Sequence, residues 1–333
     1  MIGGDVRDRA VGAFEGLALG DALGMPTQSM SRESIATHYG RVEGLLDAVE
    51  HQPISPGLPA GTVTDDTEQA VLVARLLVEG RGRIEPRTFA RALLDWEADM
   101  IRRNLADLLG PSTKRALELL ESGVSPEETG RTGTTNGAAM RITPVAIATK
   151  PDLDRLLVAV ADASRLTHNT SLGISAAAAV AAAVSAGIDG ADLGSAMNHA
   201  ERAAAEGASR APWAAGGEIA PRIRWARAWV RELDTAALPS AIAEVIGTSV
   251  AAQESVVAAF ALAEALGDRP LDALTLAAGL GGDTDTVAAI CGAILGARHG
   301  ASGLPADLTA DVRKVNDLDL GGVVEGLLEL RNS

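Results

Sequence analysis

Residues Leu172–Ile188 read LGISAAAAVAAAVSAGI, a run made mostly of alanine with Ser175 and Ser185 inside it. The run is barely long enough to cross a bilayer and carries two hydroxyls, so it reads as a helix buried in protein rather than in lipid. The composition of the whole chain points the same way. Aromatic residues are scarce, with Trp 4, Phe 3 and Tyr 1 among 333 residues. The core must therefore be built from Ala, Val, Leu and Ile, which pack best as closely spaced helices. Helical periodicity dominates from end to end and strand signals are few. The expectation is an all-α fold: a compact multi-helix bundle forming one domain over residues 1–333.

Charge and cysteine usage narrow the function. Acidic residues number 44 against 29 basic ones, a net charge of −15. Such a chain repels phosphate backbones, which argues against general nucleic-acid binding. The few aromatics argue against base-stacking platforms as well. Cys291 is the one cysteine, which excludes an intramolecular disulfide and a cysteine zinc cage. The opening residues MIGGDVRDRA lack the basic start and apolar run of a signal peptide. The expectation is a cytoplasmic protein with no membrane partner.

Along the chain, helices are expected over Arg9–Leu23, Asp65–Glu79, Pro86–Asp99, Ser112–Ser122, Asp152–Arg165, Leu193–Gly207 and Pro221–Glu232. Residues 51–63, with three prolines and two glycines, read as a loop. Met140–Ala148 reads as a buried segment, and Pro239–Leu266 as helical with a break near Gly247. Trp225 and Trp229 lie one turn apart and read as core packing.

Two acidic clusters carry the chemistry. Thr64, Asp65, Asp66, Thr67 and Glu68 open one helix; Asp283, Asp285 and Thr286, preceded by Gly281 and Gly282, open another. Both place anionic oxygens where unpaired N–H groups and the positive end of the helix dipole favour them. Capping by Thr64 or Asp283 accounts for one such residue per helix. It accounts poorly for a double Asp, and worse for Asp-Thr-Asp-Thr flanked by glycines. Several carboxylates with threonine hydroxyls make a hard oxygen site suited to Mg²⁺ or Mn²⁺. If the clusters converge they can hold two ions. Three further stretches fit around such a site. GLALGDALGMPTQ (Gly16–Gln28) carries Asp21 and reads equally as a helix C-cap and turn. GTTNGAAMR (Gly133–Arg141) offers polar side chains and backbone amides to a diphosphate. THNTSLG (Thr167–Gly173) offers His168 and Asn169.

In this order, GDALGMPTQ, TDDTEQA, NGAAMR, THNTSLG and GGDTDTVA resemble the ADP-ribosylglycohydrolase family, with matching blocks from residue 16 to about 300. The resemblance implies an all-α bundle with a binuclear Mg²⁺ or Mn²⁺ centre in a central cleft. It implies that Thr64, Asp65 and Asp66 ligate from one helix and Asp283, Asp285 and Thr286 from another. Gly133, Thr134, Thr135, Asn136, Gly137, Met140 and His168 would hold phosphates and ribose. Asp65, Asp66 and Gln28 would serve hydrolysis at the anomeric carbon, releasing ADP-ribose from an ADP-ribosylated partner. A hydrolase of simpler ribosides, or a binder without turnover, stays open beside this. Two departures stand out. The family block usually ends in Glu where this chain has Gln28, and an amide cannot act as a base. Many members also carry an Asp where this chain has Leu108, with Asp107 adjacent.

Overall fold

The computed structural model describes residues 4–103, 105 and 109–333; Asp107 and Leu108 lie outside the described residues. Helix accounts for 69% of the chain, and the described residues form no strands. The first half holds α1 (Gly4–Gly24), α2 (Arg32–Tyr39), α3 (Asp65–Glu79), α4 (Pro86–Arg102), α5 (Pro111–Glu121) and the short α6 (Pro126–Thr129), α7 (Gly137–Met140) and α8 (Thr143–Ala148). Then come α9 (Leu153–His168), α10 (Ser171–Ile188), α11 (Leu193–Ser209), α12 (Ile219–Val230) and the one-turn α13 (Leu238–Ser240). The chain closes with α14 (Ala252–Ala265), α15 (Pro270–Ala278), α16 (Thr284–His299), α17 (Ala306–Val315) and α18 (Leu320–Arg331).

The alanine-rich run is α10, 94% buried among the other helices. Residues 51–63 form turns without helix. The expected break at Gly247 is real: a π-helical turn, Ala241–Ile246, stops there with Gly247 at φ +92°. The tryptophan pair departs from expectation at Trp225, which is 42% exposed. Its ring stacks at 5.3 Å on Trp229, which alone of the two packs against the core, partly buried. Helix α2 and the C-terminal pair α17 and α18 come in addition to the helices expected from the sequence.

What positions the site is the seam between α1 and α16. Gly12, Gly16, Gly20 and Gly24 recur every four residues, so they line one face of α1. Gly292 and Gly296 do the same on α16, and Gly300 follows its last turn. The two backbones touch along this stripe. A Cβ at Gly16 would sit 2.1 Å from the Gly292 carbonyl oxygen, and one at Gly24 would sit 2.4 Å from Asp285 Cα. No side chain fits there. The seam brings the first turn of α16 against the last turn of α1, where Asp21 lies.

Candidate functional site

Asp21 is fully buried and organises the start of α3. Its carboxylate accepts from Thr64 N at 3.0 Å, from Thr64 Oγ1 at 2.8 Å, from Thr67 N at 3.0 Å and from Thr67 Oγ1. Thr64 caps α3 by accepting from Asp66 N. The turn of α3 is thus fixed from outside, and Asp65 and Asp66 have no capping work left to do.

At α16 the chain arrives through Gly281 and Gly282, at φ +76° and +78°, a region favourable to glycine alone. Gly282 pairs with Met30, and Asp283 N donates to Thr248 O at 2.7 Å. The loop is clamped on both sides. Asp283 occupies the N-cap position yet makes no side-chain cap. Its Oδ2 instead accepts from Asn136 Nδ2, which also donates to Ser255 Oγ at 2.9 Å.

Between the two helix starts, Asp65, Asp66 and Asp285 each bring a carboxylate oxygen within 4.8 Å of the others. Thr286 Oγ1 donates to Asp66 Oδ2 at 3.2 Å. Thr64 Oγ1 has one proton, which serves Asp21 at 2.8 Å rather than Asp285 at 3.4 Å. Asp66 Oδ1 and Asp285 Oδ1 are buried with no hydrogen-bond partner. Burial first, and then the neighbouring carboxylates, push Asp65, Asp66 and Asp285 well above the usual carboxylate range. Burial raises Asp283 too and takes Asp21 to about 6. Buried anions with orphaned oxygens are expensive unless a cation joins them. The donor set, all hard oxygen, fits a divalent cation such as Mg²⁺ or Mn²⁺.

Asp65 and Asp285 of the triad line a cleft of about 180 Å³. Its walls include Gln28, Asp65, Thr135, Asn136, Gly137, Met140, Asp283, Asp285 and Thr286. Asp66 and Thr64 sit behind this wall. Asp65 lines it and keeps 9% exposure. Gln28 faces the cleft with its amide nitrogen donating to Ser55 Oγ at 2.8 Å. A larger hollow of about 520 Å³, lined by Arg32, Ile35, Pro239 and Leu276 among others, contains none of these residues.

Two sequence expectations need correction. His168 is fully buried and does not line the cleft. Its ring lies under Gly137, where an added Cβ would be 2.9 Å from Cε1. Its two nitrogens meet Thr167 Oγ1 at 2.7 Å and Thr135 Oγ1 at 2.9 Å. Gly133 and Thr134 also stand back from the wall: Gly133 N donates to Gly130 O, and Thr134 O accepts from Ala252 N. The Asn136 amide is likewise taken by Val250 O, so side chains do more of the lining than the expected amide cradle. Asp21 lies in the last turn of α1, as expected of a helix end, and from there it also anchors α3. Arg141 was overlooked. The signal was there: a lone cation inside the apolar stretch GAAMRITPVAIA.

The comparisons agree with this architecture. The chain belongs to the ADP-ribosylglycohydrolase family, whose model matches residues 3–333. Members of the family are hydrolases acting on glycosidic bonds, and the chain is an enzyme of that kind. An uncharacterized protein of Escherichia coli K12, YegU, is 33% identical over 328 residues, 97% of each chain. The ADP-ribosylarginine hydrolase Tri1 of Pseudomonas putida is 28% identical over 303 residues, 90% of this chain and 72% of the relative. A solved ADP-ribosylglycohydrolase-related protein complex has the same fold, with TM-score 0.66 and 24% identity over 98% of this chain and 99% of the other.

Proposed function

We propose that this one-domain enzyme is a metal-dependent hydrolase that releases ADP-ribose from an ADP-ribosylated partner. The observation that carries the reading is the buried triad Asp65, Asp66 and Asp285, with two orphaned oxygens, beside a cleft that Asp65 and Asp285 line. Asp65, Asp66, Asp283 and Asp285, with the hydroxyls of Thr64 and Thr286, are the residues to hold two Mg²⁺ or Mn²⁺ ions. Bound there, such ions supply Lewis-acid and water-activating chemistry at the ribose.

The chain's own side chains divide the remaining work. Thr135, Asn136, Gly137 and Met140 form one wall of the cleft, placed to receive the ribose and phosphates. Asn136 holds Asp283 in position from that wall. Gln28 contacts the same space, but its amide can only orient a substrate or water. The base is therefore a carboxylate, and of Asp65 and Asp66, the two expected to act there, Asp65 is the one on the cleft wall. The Tri1 relative supports an arginine-linked ADP-ribose as substrate.

The test is a substrate panel with Mg²⁺ and with Mn²⁺, products read by mass spectrometry. The expected product is ADP-ribose, from an ADP-ribosyl-arginine protein or peptide first. Free ribose from simple nucleosides, with no ADP-ribose from any conjugate, contradicts the reading.

A further inference from the structure

Arg141 is the largest fully buried side chain among the described residues. Burying a guanidinium is costly, and this one makes no direct bond to a carboxylate. Nη1 donates to Gln69 Oε1 at 2.8 Å, Nη2 donates to Thr167 Oγ1, and Nε has no partner. The guanidinium carbon lies 5.0 Å from the centre of the Phe89 ring. Two chains of polar groups run outward from it.

A guanidinium can only donate. Each group it touches must accept on the side facing Arg141, which leaves its own hydrogen for another acceptor. Along the first chain, Gln69 accepts at Oε1, and its Nε2 donates to Asp65 Oδ2 at 3.4 Å. Along the second, Thr167 Oγ1 accepts from Arg141, and the one acceptor its own proton meets is His168 Nδ1 at 2.7 Å, so the hydroxyl donates there. With Nδ1 accepting, the ring carries its proton on Nε2 and donates to Thr135 Oγ1 at 2.9 Å. Thr135 then has its own proton to give, to Ser112 Oγ at 2.9 Å or to an oxygen in the cleft that it lines. Burial and the charge of Arg141 both push His168 well below its ordinary range, in keeping with a neutral ring. Hydrogen bonds linked in series polarise one another in such an interior.

We propose that Arg141 is a positioning residue that aims hydrogen-bond donors at both halves of the cleft: through Gln69 at Asp65, and through Thr167 and His168 at Thr135. By turning its proton from Ser112 to the cleft, Thr135 meets the substrate as a donor and selects a lone-pair oxygen of a phosphate or ribose. The substrate half rests on the cleft being an ADP-ribosyl site; the internal chain does not.

The chain itself is tested on metal-loaded, full-length protein by ¹⁵N NMR of the histidine rings. The expected result is a neutral His168 with its proton on Nε2 across pH 6 to 8. A proton on Nδ1, or an ordinary imidazole titration, overturns the proposal. Thr167→Val and Thr167→Ser then separate the hydroxyl from the volume. Thr167→Val should weaken ADP-ribose binding by calorimetry, and raise KM, by about tenfold. It should leave kcat within about twofold and the Mn²⁺ dependence unchanged. Thr167→Ser should match wild type. Valine and serine variants that behave alike overturn the proposal. Gln69→Leu should instead shift the Mn²⁺ concentration needed for activity; no shift overturns the Asp65 branch. Wild-type protein that binds no ADP-ribose overturns the functional reading, and the NMR result alone then judges the chain.

Discussion

Helix α3 begins with Thr64, whose side chain accepts from Asp66 N, while Asp21 accepts four further donors from Thr64 and Thr67. Helix α16 begins with Asp283, which caps nothing on its own helix and instead accepts from Asn136 across the cleft. Both starts are acidic, and both enjoy the positive end of a helix dipole. At α3 the structural work is done by Asp21 and Thr64, leaving Asp65 and Asp66 free. At α16 it is done by the glycine seam and the clamped loop, leaving Asp283 and Asp285 free. An acidic first turn is structural only where the oxygen meets its own helix's N–H groups. Here the surplus carboxylates face one another instead.

Four outcomes would break or sharpen that contrast. The largest is in stability. Asp21→Ala strips the acceptor from four buried donors and should cost about 3 kcal/mol or more. Asp283→Ala, in metal-free protein, should cost about 1 kcal/mol or less, because no cap is lost and a repelling charge is removed. Urea unfolding in EDTA compares the two, and equal costs would erase the distinction between the helix starts. Next, Asp285→Asn should lower activity by more than about 100-fold, since even partners of metal ligands reach that scale. The same variant should melt no lower than wild type in EDTA, because one buried anion is gone. Third, Thr64→Val removes a cap and should cost about 1 kcal/mol. The smallest effect is expected at Gln28. Gln28→Glu keeps the shape and adds a charge beside the triad, so it should change turnover of ADP-ribosyl substrates by about threefold to tenfold. Unchanged kinetics would make this position a bystander.

Acidity offers a related check. The carboxylates whose pKa is raised in the fold hold protons that the unfolded chain releases. In EDTA, stability should therefore fall as pH rises, between the ordinary Asp value of 3.8 and the value of about 6 for Asp21. Added Mn²⁺ should reverse that slope, because cation and proton compete for the same oxygens.

Much of this was legible in the sequence. The run Leu172–Ile188 fixes a buried helix by composition alone, and the Asp pairs declare themselves by exceeding what capping needs. Other features depend on partners far away in the chain. Gly16 and Gly292 touch across the seam, and neither glycine ladder has meaning until the other is seen against it. Asp21 sits near a helix end and looks like part of a turn until α3 is laid beside it. His168 stands in the polar stretch THNTSLG, but it is the last residue of α9 and is covered by Gly133, Gly137 and Gly173. Arg141 was visible as an isolated charge, but its role depends on which atoms it meets.

The claim beneath all of this is that the acid triad exists to hold divalent cations. Calorimetric titration of the EDTA-stripped protein with Mn²⁺ and with Mg²⁺, paired with melting curves, tests it directly. Saturable binding should appear, with stabilisation of about 2.7 kcal/mol at a hundred times Kd, and Asp285→Asn should abolish most of it. A folded wild-type protein that takes up neither cation and melts at the same temperature with and without them would contradict the account.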